Sequence, residues 1–240
     1  MPGPFFLQSH VFLCRGKRHW VILDVNRDKY LCVARSQFEA LGPALSGWPG
    51  PAECGQPVAA ALAEEAAALA NDLLDVSILS DRAAHAKDAL PTNYSLPTEA
   101  IDPDLPERSP RSACTHAGAF FWSAARASRE LHRQRFQLIV ESVRSRKGRG
   151  AHSAAVLDLE RARSLVSVFE RLRWFYPRSY LCLFDSLALI HFLARFQVYP
   201  DWVFGVSAEP FEAHCWVQAG NVVLNDTVAR VSAFTPIMYI

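Results

Sequence analysis

Residues 178–196 read RSYLCLFDSLALIHFLARF, and the fold turns on what this stretch is. Its apolar residues recur at helical spacing, which predicts an amphipathic helix over 181–196. Pro177 closes the element before it, and Ser179 is the expected N-cap. Cys182 then falls in the first turn. A thiol attacks only as thiolate, and the unpaired N–H groups and dipole of a helix N-terminus lower its pKa. The backbone N–H of Cys182 is placed to serve as an oxyanion donor. Asp185, one turn on, adds negative charge and is expected to raise the thiol pKa. Trp174, Arg178 and Tyr180 are candidates for a second oxyanion donor by position alone. Read in isolation, a cysteine in an apolar helix is a small core residue.

A nucleophile needs a base. His191 lies nine residues after Cys182, which at 3.6 residues per turn puts it about 180° around the helix and out of reach. His214 sits in EAHCWVQ, read as a strand, where it shares a face with Trp216 and Gln218. The strand NVVLND follows after an Ala219-Gly220 turn and ends in Asp226, so Asp226 is expected on an antiparallel neighbour. Another strand, WVFGV, precedes both. Cys182, His214 and Asp226 in that order have the logic of a triad in which the carboxylate fixes the imidazole tautomer. A helix followed by antiparallel strands is also the order of papain-like and transglutaminase-like hydrolases. Each residue alone has a bland reading as core, structural histidine or strand end. The combination favours chemistry.

Working outward, residues 10–34 read as three short strands, with RGKR and NRDK as the turns between them. A short helix is expected from Ser36 to Gly42-Pro43, then a longer one over 57–79 with Leu62, Leu69 and Leu73 as its apolar stripe. Three strands and two or three helices suit a winged-helix-like module over 1–85. Five prolines lie between 91 and 113, the composition of an extended linker placed at 86–114. The remainder, 115–240, reads as one catalytic domain. It opens with a helical stretch that becomes basic in VRSRKGRG, then a helix over 154–174 burying Val156, Leu159, Val166, Phe169 and Leu172. The fold class is therefore α+β, a small N-terminal module linked to a papain/transglutaminase-like domain.

The bulk numbers exclude several functions. A net charge of +1 over 240 residues gives no general pull toward nucleic acid. No apolar run approaches the roughly 18 residues of a membrane span, and the N-terminus lacks a basic n-region and a cleavage site. A cytoplasmic protein is expected. The six cysteines form no CxxC pair, so neither a disulfide framework nor a metal site is expected. There is no GxxxxGK[ST] motif for nucleotide.

CLFDSLAL and PFEAHCWVQAGNVVLND together resemble the lasso peptide leader peptidases, the B proteins of that biosynthesis, which have a transglutaminase-like cysteine protease fold. The resemblance covers about 150–230, and the N-terminal strands and helices look like that family's precursor-peptide recognition element. Many members carry an arginine where this chain has Asp185. The resemblance implies a protease that uses Cys182, His214 and Asp226 to cut the bond between leader and core of a ribosomally made precursor. The leader would add as a strand to the edge formed by Tyr30, Leu31, Cys32 and Val33, with Leu69 and Leu73 lining the groove beside it. The freed core would pass to an asparagine-synthetase-like lasso cyclase, and any ATP requirement would belong to that partner. Two rival readings use the same residues. One is another acyl-transfer enzyme of this fold, a transglutaminase, deamidase or acetyltransferase. The other is a non-catalytic peptide-binding protein. A DNA-binding winged helix fits poorly, because VAAALAEEAAALANDLLD is acidic and apolar where a recognition helix should be basic.

Overall fold

The computed structural model describes residues 4–48, 60–84, 86–101, 110–151, 158–177 and 179–240. Its contacts divide the chain into two compact units. One is Met1–Asn93 with Val206–Glu212, and the other is Tyr94–Gly205 with Ala213–Ile240.

In the first unit, strand β1 (Phe6–Gln8) precedes a meander of β2 (Val11–Arg15), β3 (His19–Asp24) and β4 (Lys29–Ala34). The meander is antiparallel throughout, with Ile22 opposite both Leu13 and Leu31. Its second turn is built by Asp24, whose Oδ1 accepts the N–H groups of Asn26 at 3.0 Å and Arg27 at 3.1 Å. That local bond is why an aspartate at a strand end makes a turn. Helix α1 (Arg35–Leu41) follows β4 directly, and α2 (Ala60–Asp75) leads into β5 (Leu79–Ser80). Trp20 packs against Phe38 at 5.2 Å and Trp48 at 5.0 Å between ring centroids. Around them Leu7, Leu13, Ile22, Phe38 and Leu41 are buried completely or nearly so. Strand β6 (Ala86–Lys87) pairs with β1, which β5 flanks on its other edge.

The sequence predicts three strands here, and the structure adds β1, β5 and β6. The additions are two or three residues long, too short to show alternation. Part of the Pro-rich stretch is also paired rather than free. Thr92 N–H reaches Leu13 O at 2.9 Å, and β7 (Glu99–Ala100) joins the sheet of the second unit. Proline removes a donor only at its own position, so its neighbours still pair. Residues 102–109 of that stretch lie outside the described residues, as do 152–157, with Val156, and the side chain of Leu62.

The second unit continues from β7 with four helices, α3 (Pro110–Arg133), α4 (Phe136–Ala151), α5 (Leu159–Arg173) and α6 (Cys182–Ala194). Strands β8 (Asp201–Ala208), β9 (Phe211–Ala219) and β10 (Val222–Val223), helix α7 (Val228–Val231) and strand β11 (Thr235–Tyr239) complete it. The sheet order is β11-β8-β9-β10-β7. Gly220 makes the β9–β10 turn with φ +60°, a backbone conformation that glycine adopts without a Cβ penalty.

Helix α6 departs from the amphipathic reading, because every residue from Phe184 to Leu193 is buried. A helix covered on all sides shows no polar face. Its three polar side chains are instead satisfied internally. His191 donates from Nε2 to Glu130 Oε2 at 2.7 Å and accepts on Nδ1 from Arg146 at 2.7 Å, while Arg126 holds Glu130 at 2.7 Å. This chain ties α3, α4 and α6 together. It also turns Arg146 of the basic segment inward, so that segment is partly structural. Among the described residues, no helix is long and apolar enough to cross a membrane.

Candidate active site

Cys182 is the first residue of α6, and the cap is Leu181 in extended conformation rather than the expected Ser179. The helix start is fixed from inside the fold. Asp185 Oδ2 accepts the N–H of Leu181 at 2.7 Å, while Oδ1 pairs with Arg173 Nε. The Arg173 guanidinium also donates to Tyr176 O at 3.2 Å and Ser179 O at 3.1 Å, gathering the loop that carries the chain into Cys182. Tyr180 covers the guanidinium, 4.3 Å from its ring centroid. The expectation that Asp185 works against the thiolate therefore needs correcting, because its charge is matched by a buried arginine. Sequence spacing gave no hint of this partner, twelve residues away on another helix.

Strand β9 brings His214 to the thiol. His214 Nε2 donates to Asp226 Oδ2 at 2.6 Å, and its ring lies 6.1 Å from that of Trp216 on the same face. The ring is also hydrogen bonded to Cys182, so with Nε2 committed to Asp226 it is Nδ1 that faces the sulfur. Hydrogen bonds from the Cys215 thiol and from His214, helped by the Cys215 backbone N–H, outweigh burial and bring the Cys182 thiol down to about 4. Burial opposes charge on His214, yet its bonds to Asp226 and Cys182 override that and push it up to about 9. The two shifts describe one object, a thiolate–imidazolium pair. Alkylation of Cys182 by iodoacetamide is accordingly expected to stay near its plateau from pH 8 down through pH 5, falling only toward about 4. A fall centred near the ordinary thiol value of 9 would show that the pair does not form.

Asp226 is not on a strand as expected. β10 ends at Val223, and Asp226 lies in the bend before α7, where Oδ1 accepts Thr227 N–H at 2.7 Å. Burial disfavours its charge, but the bonds from His214 and Thr227 hold its carboxyl below the usual range. Asn225 fixes the bend. Its Oδ1 accepts Val217 N–H at 2.7 Å, and its Nδ2 donates to Ser186 Oγ at 3.1 Å. Ser186 in turn donates to Cys215 O at 3.2 Å, tying α6 to β9 next to Cys182 and His214. Neither Ser186 nor Asn225 was singled out from sequence, because small polar residues show their role only through partners in the fold. Trp174 and Tyr180 are exposed on a cleft of about 680 Å³, and Arg178 lies outside the described residues.

The candidate peptide-binding residues divide by face. Val33 and Leu73 are core, Leu31 and Leu69 pack partly against it, Tyr30 is half-buried and Cys32 is exposed. Strand β4 is one of the two outer strands of the β2–β3–β4 sheet. Among the described residues, no group of three or more His, Cys, Asp and Glu side chains is placed to share a metal ion.

Residues 121–239 match the transglutaminase-like superfamily, a span that contains Cys182, His214 and Asp226. No curated protein and no solved structure matches the chain. A transglutaminase-like domain with this thiolate pair fits cysteine-protease or acyl-transfer chemistry.

Proposed function

From a transglutaminase-like domain joined to a strand-rich N-terminal module, we propose that the chain is a lasso peptide leader peptidase, a cysteine endopeptidase that separates leader from core in a ribosomally made precursor. The observation that carries the reading is the thiolate–imidazolium pair, found on the same chain as an outer strand of a kind that can take up an extended peptide. The resemblance of CLFDSLAL and PFEAHCWVQAGNVVLND supplies the substrate class.

In this mechanism the leader pairs with the β4 edge. The Cys182 thiolate attacks the carbonyl of the leader–core bond, and the developing oxyanion takes the Cys182 N–H. His214 gives its Nδ1 proton to the departing amine of the core, leaving a thioester of leader and enzyme. It then takes a proton from water, whose oxygen attacks the thioester and releases the leader. Asp226 holds the imidazole orientation through both steps. The core amine passes to an asparagine-synthetase-like cyclase, where ATP would be spent.

Incubating the full chain with a precursor peptide tests this by mass spectrometry. The expected result is a single cut at the junction, with free leader raising KM and leaving kcat unchanged. Transfer of the leader acyl group to added amines, with no hydrolysis, would instead assign the chain to the acyltransferases of this fold.

A further inference from the structure

A serine inside a helix can satisfy its hydroxyl by bonding back to the carbonyl one turn earlier. Ser123 in α3 and Ser232 at the end of α7 do this, donating to Ala119 O at 2.8 Å and Val228 O at 2.7 Å. Ser186 does not. It is wholly buried in α6, one turn after Cys182 and on the same helix face, and its hydroxyl reaches out of the helix. Oγ donates to Cys215 O of β9 at 3.2 Å and accepts from Asn225 Nδ2 at 3.1 Å, in the bend before α7. Cys215 directly follows His214, and Asn225 directly precedes Asp226. One hydroxyl on the helix of the nucleophile therefore bonds the neighbour of the base and the neighbour of the carboxylate.

We propose that Ser186 is a positioning residue, which through Asn225 holds the Asp226 carboxylate against His214 while its own helix presents Cys182. Other bonds of the bend run elsewhere. Leu224 N–H donates to Val217 O at 2.8 Å, Asn225 Oδ1 accepts Val217 N–H at 2.7 Å, and Asp226 Oδ1 accepts Thr227 N–H. These fix the bend to β9 and to the start of α7, and the bond from Asn225 to Ser186 carries it to α6. A hydroxyl suits the place because it donates and accepts at once, serving Cys215 O and Asn225 Nδ2 together. Alanine there leaves a buried carbonyl and an amide N–H without those partners. The 2.6 Å bond from His214 Nε2 to Asp226 Oδ2 is what the arrangement protects, since a charge-assisted bond this short weakens steeply as its partners drift apart. The proposal rests on Cys182, His214 and Asp226 as the reacting residues, and not on which peptide they cut.

The low-field proton resonance of His214 Nε2–H, assigned by its loss in His214→Ala, reads the bond to Asp226 without any substrate. In Ser186→Ala and in Asn225→Ala it is expected to move upfield or broaden away. On a junction-spanning peptide each of these variants is expected to lose about tenfold in kcat with KM within about twofold, because the defect lies in the reacting geometry and not in binding. The double variant Ser186→Ala/Asn225→Ala should also lose about tenfold rather than about a hundredfold, since the two residues act through one bond. A resonance unchanged in both single variants, or losses that multiply in the double variant, overturns the proposal. Asn225 is only partly buried, so Asn225→Ala carries the test if Ser186→Ala does not fold. A wild type that cuts no peptide, but whose resonance follows Ser186 and Asn225, removes the peptidase reading and keeps this one; cleavage with an indifferent resonance does the reverse.

Discussion

Cys182→Ala is expected to abolish peptide cleavage, by at least about 10⁴-fold in kcat, while Cys215→Ala keeps turnover within about tenfold at pH 7. The two cysteines differ in everything that makes a nucleophile. Cys182 opens a helix and is hydrogen bonded to His214, which draws its thiol down to about 4. Cys215 is buried in β9 beside Ser186, and burial pushes its thiol well up, so it stays protonated and inert. It is not a bystander, however, because its side chain and its backbone N–H both act on the Cys182 thiol and lower its pKa. Removing that S–H is expected to shift the acid limb of the activity profile upward in Cys215→Ala and to leave the plateau in place. Cys215→Ser, which keeps a donor there, should sit between Cys215→Ala and wild type. Initial rates from pH 4 to 9 on a junction-spanning peptide read all three variants. Equal and complete loss in Cys182→Ala and Cys215→Ala would remove the assignment of Cys182.

What the sequence shows, and what it hides, follows from how far each feature depends on partners. Cys182 and His214 stand on a helix and a strand whose types can be read locally, so their order is visible without contacts. Likewise His191 is excluded by helical angle alone, and the fold places it in a buried bond to Glu130. The burial of α6 on every side is invisible, because Asp185, Ser186 and His191 mimic a polar face until their partners are known. Asp226 was assigned to a strand because NVVLND has strand composition, yet Asn225 takes Val217 N–H and bends the chain away two residues after β10. The pairing of 86–101 escapes for a different reason, since its strands are only two residues long.

Arg173→Met is expected to be the most damaging change outside the reacting trio, and in two separable ways. Its side chain is 2 % exposed, and removing one member of a buried ion pair costs about 3–5 kcal/mol, which thermal or urea unfolding reads directly. The second effect is electrostatic. With Arg173 gone, the Asp185 carboxylate stands unmatched in the first turn below Cys182, and a like charge that close disfavours thiolate. The acid limb of Cys182 alkylation is expected to move up by on the order of one pH unit. Glu170 reports on the same field, because Asp185 already contributes to raising its carboxyl while Arg173 opposes the rise. The double variant Arg173→Met/Asp185→Leu removes both charges, so its limb should return toward about 4 and most of the lost stability should come back. Turnover should not return with them. The carbonyls of Tyr176 and Ser179 still lack the guanidinium, and Leu181 N–H still lacks the Asp185 carboxylate, so the loop delivering Cys182 stays loose. A kcat about tenfold below wild type, beside a restored limb, is the expected signature. A limb that never moves in Arg173→Met would mean that the charge of Asp185 does not reach the thiol, leaving only the loop-holding role of the pair.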